Sequence, residues 1–274
     1  MTAQTTMPIT ALRRVVRLTD APTVSALRQS ERLLLGLADT DEAHHLPDEA
    51  GNVLVATGGG GGTTSVLRSL AAQALYRGAH LDILDPDTRR PSHTWARSLP
   101  KTTVYSRPGD IHTYLVEALD RLRVNYTAAA GNWHRRRFIV IEHADRLLDA
   151  LRQHWSLTRP DSQLDEAPGV EALGILLAAG PGCGIQIIAG STRALPAFTG
   201  SALAELFPVR VLAYAGQTLW ARVAPEIWPV PPYSVIPGRI HAVHKDTARR
   251  IQALYLSESE ARAWARGTVP KEYR

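Results

Sequence analysis

Three absences frame this chain of 274 residues: disulfide-forming cysteine, long apolar runs and lysine. The single cysteine, Cys183, permits no internal disulfide and fits a reducing compartment. No apolar run reaches the roughly 18–20 residues that span a bilayer, so no intrinsic membrane segment is expected. The N-terminal stretch MTAQTTMPITALRRVV lacks the charged-then-apolar order of a signal peptide. A cytoplasmic protein is the expectation. Of 31 basic residues only Lys101, Lys245 and Lys271 are lysines, a bias that fits a GC-rich genome.

What is present is ordinary for a globular protein: 45% hydrophobic and 21% charged residues, enough for one large α/β domain. The net charge of +5 allows a polyanionic partner without demanding one.

Along the chain, residues 1–50 read as an N-terminal segment with a helical stretch around Val24–Leu37 and an acidic connector, ADTDEAHHLPDEAG. Residues 51–216 alternate short apolar runs with helical periodicity. NVLVA at Asn52–Ala56, HLDIL at His80–Leu84, FIVI at Phe138–Ile141, IQIIA at Ile185–Ala189 and the run from Val209 are of the buried parallel-strand type. Residues 217–274 carry a proline-rich stretch, five prolines in Pro225–Pro237, then two closing strands and a last short helix of the same domain. Strands alternating with helices predict an α/β fold with a mainly parallel sheet sandwiched between helices.

The most informative segment is Leu54–Leu70, LVATGGGGGTTSVLRSL. A strand, a glycine turn and a helix together bind phosphates, because the free N–H groups of the helix's first turn and its dipole point at the anion. The working P-loop, G-x-x-x-x-G-K-S/T, adds a lysine for the β/γ-phosphates and a hydroxyl for magnesium. With Gly62 as the last glycine, Thr63 stands at the lysine position, Thr64 at the hydroxyl position, and Thr57 where the first glycine belongs. Gly58, Gly59, Gly60, Gly61, Gly62, Thr63, Thr64 and Ser65 are the candidate phosphate-binding residues.

This segment resembles the P-loop of FtsK/SpoIIIE-type DNA translocases, with Leu54-Val55-Ala56 before the loop and Val66-Leu67-Arg68-Ser69-Leu70 after it. RGAHLDILDPD at Arg77–Asp87 is similar to that family's second strand, with Asp87 in place of a lysine. Gly180–Tyr214 follows the family's pattern at Gly184-Ile185, Arg193, Thr199-Gly200, Pro208 and Arg210. The resemblance covers roughly residues 50–245 and implies a RecA-like P-loop NTPase fold. In such enzymes an acidic pair follows a buried strand. In RFIVIEHAD (Arg137–Asp145), registering on Ala144-Asp145 puts Ile141 at the magnesium aspartate and Glu142 at the catalytic glutamate. A one-residue deletion instead puts Glu142 at the aspartate and His143 at the glutamate. Glu142 and Asp145 are the remnant either way. Thr192 replaces the glutamine at the nucleotide-sensing strand end, beside Arg193; Arg210 belongs to the same sensor and interface group.

Departures at the lysine, the acidic pair and the sensor imply a catalytically degenerate protein that acts as a DNA-binding or accessory subunit in DNA transfer or handling. ATP with magnesium is expected to bind weakly if at all, with no other cofactor. The rivals are an active ATPase in which Arg68 or a neighbour's arginine replaces the lysine, and a structural protein assembling through the ancestral subunit interface. Partners under these readings are double-stranded DNA, an active FtsK-like motor, or copies of the chain in a ring or filament. Arg135, Arg136 and Arg137 form the densest basic cluster and the candidate DNA contact. His44, His45, His241 and His244 lack metal-ligand spacing, and Cys183 lacks a group to activate it.

Overall fold

The computed structural model describes residues 12–47, 50–127, 136–159, 164–191, 201–213, 216–232 and 234–268; for 125–127 and 201 it describes the backbone alone. The chain opens with β1 (Val16–Arg17), α1 (Ala21–Gln29), β2 (Leu34–Leu37) and the edge strand β3 (Ala43–His45). The α/β core follows: β4 (Val53–Ala56), α2 (Thr63–Tyr76), β5 (His80–Leu84), β6 (Thr102–Tyr105), α3 (Pro108–Thr127) and β7 (Arg137–Ile141). It continues through α4 (Ala144–Thr158), α5 (Pro168–Ala179), β8 (Ile185–Gly190), α6 (Ser201–Leu206) and β9 (Val209–Leu212). The chain closes with α7 (Gln217–Val223), β10 (Arg239–His244), β11 (Thr247–Tyr255) and α8 (Glu258–Ala265).

All strands join one sheet in the order β3-β2-β11-β10-β9-β4-β8-β7-β5-β6, with β1 pairing β11. From β9 to β6 the pairing is parallel; β10, β11, β2 and β3 extend it antiparallel. The parallel strands are buried on both faces, which explains their continuous apolar runs. Val53 and Val55 of β4 enter one core, with α2 and α8, while Leu54 and Ala56 enter the other, with α3, α4 and α5. Phe138 and Val140 against Ile139 and Ile141 repeat that division on β7.

The expected helix over Val24–Leu37 is corrected. The helix ends at Gln29, and Leu34–Leu37 is a strand between β11 and β3. All four residues of Leu34–Leu37 are buried, and a Cβ at Gly36 would stand 2.2 Å from the Gln252 carbonyl oxygen. Tertiary pairing with β11 overrides the local leucine pattern. α8 carries a capping box: Ser257 Oγ accepts from Glu260 N, and the Glu260 carboxylate accepts from Ser257 N at 2.7 Å.

Candidate functional site at the glycine loop

Four parallel strands end on the same side of the sheet, and their following residues converge. The glycine loop leaves β4, Asp85 follows β5, Glu142 follows β7 and Ser191 follows β8. β8 lies between β4 and β7, so Glu142 sits one strand away from the loop.

Within the loop, Gly58, Gly60 and Gly62 have φ of 73°, 77° and 98°, which L side chains adopt only with strain. Gly61 is fixed by crowding instead: its added Cβ would lie 1.9 Å from the Thr57 carbonyl oxygen. Gly62 caps α2, whose first intrahelical bond runs from Val66 N to Gly62 O at 3.0 Å. The first-turn N–H groups of Thr63, Thr64 and Ser65 have no intrahelical acceptor.

The two threonines that replace P-loop residues meet each other. Thr57 Oγ1 and Thr63 Oγ1 lie 2.5 Å apart in a hydrogen bond, both side chains buried. Thr63 Cγ2 also presses on Gly190 of β8, where an added Cβ would come within 2.7 Å. Among the described residues, no ammonium or guanidinium of the loop or of α2's first turn takes the lysine's place. Arg68 points away, donating to the Leu256 carbonyl at 3.1 Å and lying 3.7 Å from Glu258.

Thr64 donates to Glu142 Oε1 at 2.6 Å, and His93 Nε2 lies 2.8 Å from Glu142 Oε2. Ile141 is a core side chain, 1% exposed. Glu142 thus faces the hydroxyl-bearing first turn of α2, with His143 next in order. His143 caps α4 in a left-handed conformation, its Nε2 3.7 Å from Glu142 Oε1. Burial opposes ionisation of Glu142, but bonds from His93 and Thr64 outweigh it and hold the carboxyl below its ordinary range. Burial pushes Asp85 the other way, above its ordinary value, against bonds donated by the N–H groups of Ser92 and Asp87. Asp145 lies buried in the first turn of α4.

A cleft of about 760 Å³ opens beside the loop, lined by Gly60, Gly62 and Ser65 on one side and by Arg17, Ile236 and Tyr255 on the other. Arg17 stacks on the Tyr255 ring at 5.0 Å and pairs with Glu260 at 2.6 Å.

The other sequence-derived candidates lie elsewhere. Arg210 is in mid-β9, 2% exposed, bonded to Glu226 at 2.5 Å and to the Val223 carbonyl. It ties α7 and the turn after it to the sheet. Thr192, Arg193 and Arg135 lie outside the described residues. Arg137 is half-buried and paired with Asp82, which also accepts from Tyr114 Oη at 2.8 Å. Arg136 is exposed and lines a 360 Å³ cleft with Arg32 and Arg77 at the opposite end of the strands. Arg136 and Arg137 thus lie at the opposite end of the sheet from the glycine loop. Sequence reasoning passed over His93 and Asp85. His93 sits in a polar loop 49 residues before Glu142, and no spacing rule joins them.

No group of three or more metal-ligating side chains occurs among the described residues. Magnesium, which this kind of loop implies, does not fit the side chains present. Glu142 is 0% exposed and held by Thr64 and His93, the neighbouring position is a histidine and not a second carboxylate, and magnesium needs oxygen ligands and several waters. None of the described helices is long and apolar enough to cross a membrane.

No protein-family model matches the sequence, and no curated protein matches it. Solved structures do match in fold. The cytoplasmic domain of the type VII secretion ATPase EccC from Thermomonospora curvata superposes with a TM-score of 0.67 at 15% identity, over 90% of this chain and 28% of that one. The pCW3 conjugation coupling protein TcpA, solved as a monomer with ATPγS, gives 0.66 at 14% identity, over 91% of this chain and 72% of that one. ATPases 2 and 3 of EssC from Geobacillus thermodenitrificans give 0.60 at 12% identity, over 97% and 52%. The chain thus spans under a third of the EccC domain and about half of the EssC one. It shares the RecA-like α/β fold of these P-loop ATPases.

Proposed function

We propose that this chain is a degenerate relative of FtsK/SpoIIIE-type translocases that does not hydrolyse ATP and serves beside an active motor in DNA transfer or handling. The observation that carries the reading is the Thr57–Thr63 hydroxyl pair, which fills the lysine position with a neutral, mutually satisfied contact. Phosphoryl transfer is catalysed almost wholly by positioning and by cations on the transferring group. Here the loop offers backbone N–H groups and neutral hydroxyls, and Glu142 is engaged by Thr64 and His93. Those N–H groups can still hold a small anion, so weak nucleotide binding is compatible with the reading. Its fold neighbours include a secretion ATPase and a conjugation coupling protein, which supports membership of a motor assembly, with this chain in the cytoplasm beside it.

The rewired ATPase is less well supported, because Arg68 is committed to Leu256 and Glu258. DNA contact rests on the net charge of +5 and on exposed Arg136. The test is steady-state phosphate release with and without duplex DNA. Release at background in both is expected; a turnover near the ordinary range of about 1–1,000 per second, abolished by Glu142→Gln, overturns the proposal.

A further inference from the structure

We infer that His93 stands in for the metal ion: it holds Glu142 from inside the protein and closes the old cation position to divalent ions. The inference deepens the reading above and rests on it for the assignment of Glu142 as the strand-end carboxylate facing the hydroxyl helix.

The hydrogen bonds form a closed chain. Trp95 Nε1–H donates to His93 Nδ1 at 3.3 Å. The indole nitrogen can only donate, so Nδ1 must present its lone pair. The proton of the neutral ring is then on Nε2, from which it is donated to Glu142 Oε2 at 2.8 Å. The other oxygen, Oε1, accepts from Thr64 at 2.6 Å. Trp95, His93 and Glu142 are each 0% exposed. Every donor in this buried chain has an acceptor, the condition under which burying such groups is tolerated.

That arrangement opposes a metal in two ways. A ligating imidazole must offer a lone pair, and turning Nε2 into the lone-pair atom moves the proton to Nδ1. Two N–H donors, Trp95 Nε1–H and His93 Nδ1–H, would then face each other. Magnesium also demands near-octahedral oxygen ligands at about 2.0–2.1 Å and retains several waters. Glu142 accepts only one hydrogen bond on each oxygen and keeps a lone pair on both, so what opposes such a shell is burial: its waters would have to enter a site where Glu142 and His93 are each 0% exposed.

The same chain ties the site to α8. Arg262 Nε of α8 donates to the Trp95 carbonyl at 3.2 Å. Thr94 Oγ1 reaches Glu258 at 3.3 Å, and Trp264 of α8 meets Tyr76 of α2 edge-on at 5.1 Å. Glu142 therefore joins the glycine-loop helix, β7 and α8 as a fixed strut, in the place where a hydrolysing enzyme keeps an exchangeable ion.

The experiment is a titration of the full chain with Mn²⁺, without nucleotide, read by the electron-paramagnetic signal of the free ion. A second measurement takes the ¹⁵N spectrum of the histidine rings, with His93 assigned by its loss in His93→Gln. The expected result is no uptake of Mn²⁺ at about 100 μM and an Nε2–H tautomer for His93. Stoichiometric uptake that disappears in Glu142→Gln overturns the inference, as does an Nδ1–H tautomer. Should the variants fail to fold, uptake of one Mn²⁺ per wild-type chain without nucleotide overturns it. Phosphate release from ATP, measured separately on the same protein, separates the two claims. Uptake without release sinks only the inference, and release without uptake sinks only the proposed function.

Discussion

Thr57 and Thr63 close the mouth of the glycine loop with a hydroxyl–hydroxyl hydrogen bond of 2.5 Å, joining the end of β4 to the first residue of α2. In a working P-loop one of these positions is glycine and the other lysine. On the proposed reading the pair stands where such a loop holds its cation, and several expectations follow from it.

Thr63→Lys alone should not create an ATPase. The new ammonium would restore one charge, but Glu142 would remain held by His93 and the neighbouring position would remain His143. The substitution also leaves buried Thr57 without its partner, a loss of about 1–3 kcal/mol. We expect phosphate release at background and a lowered thermal midpoint. Release tenfold or more above the parent would show that the lysine was the single missing part.

The five glycines should not be equivalent. Gly61→Ala places a Cβ 1.9 Å from the Thr57 carbonyl oxygen, so the loop must open. Gly59→Ala meets nothing within 4 Å, and Gly59 is not among the glycines with positive φ. We expect Gly61→Ala to cost at least about 2 kcal/mol and Gly59→Ala to lie within about 0.5 kcal/mol of the parent, by urea denaturation. Equal effects at both positions would mean that the loop is not wound as described.

Arg136 and Arg137 should separate binding from stability. Arg136 is exposed, whereas Arg137 braces buried Asp82 together with Tyr114. Arg136→Ala is expected to weaken binding to duplex DNA and to reduce the slope of log affinity against log salt by about 1, with little change in stability. Arg137→Ala should instead destabilise the fold by about 1–3 kcal/mol, discounted for the half-exposed guanidinium. If the wild-type chain fails to shift duplex DNA at about 50 mM salt, the positive charge reflects composition and not a DNA site.

Much of the core was legible because buried parallel strands and glycine turns leave local marks. NVLVA, FIVI and IQIIA all fall on strands of the parallel sheet. What was illegible depends on partners remote in sequence. Leu34–Leu37 reads as helix until β11 lies beside it. The register at Glu142 is ambiguous in a string of letters, and its contact with Thr64, 78 residues away, leaves no mark there. His93 carries no pattern at all. Its role comes from where β5 ends and from Trp95 two residues on, which fixes the proton on its ring.

Acid should loosen this protein well above the carboxylate range, through histidines on the antiparallel extension of the sheet. Burial, first of all, pushes His241 down to about 4, with Arg250 adding to it, and the ring packs edge-on against Trp220 at 5.7 Å. His44 is likewise pushed down to about 4 by burial and then by Arg249 and His45. Unfolded, each titrates near about 6.5, so between that value and about 4 the unfolded chain holds more protons than the folded one. Stability is therefore complete above about pH 6.5 and falls as the pH drops toward 4. Between pH 7.5 and 5.5 His241 and His44 each account for about 1 kcal/mol. Glu142 adds to the loss only lower down: its depressed carboxyl stabilises the fold above its ordinary value of about 4.3 and loses that as the pH falls through its folded value. Asp85, raised by burial, works in the opposite sense near the carboxylate range, which leaves the histidines to govern the window above it. Urea midpoints at pH 7.5 and 5.5 should show the fall, and His241→Leu should shrink it by about half or more. A midpoint that stays constant between the two pH values would mean that these rings are hydrated and titrate as they do in the unfolded chain.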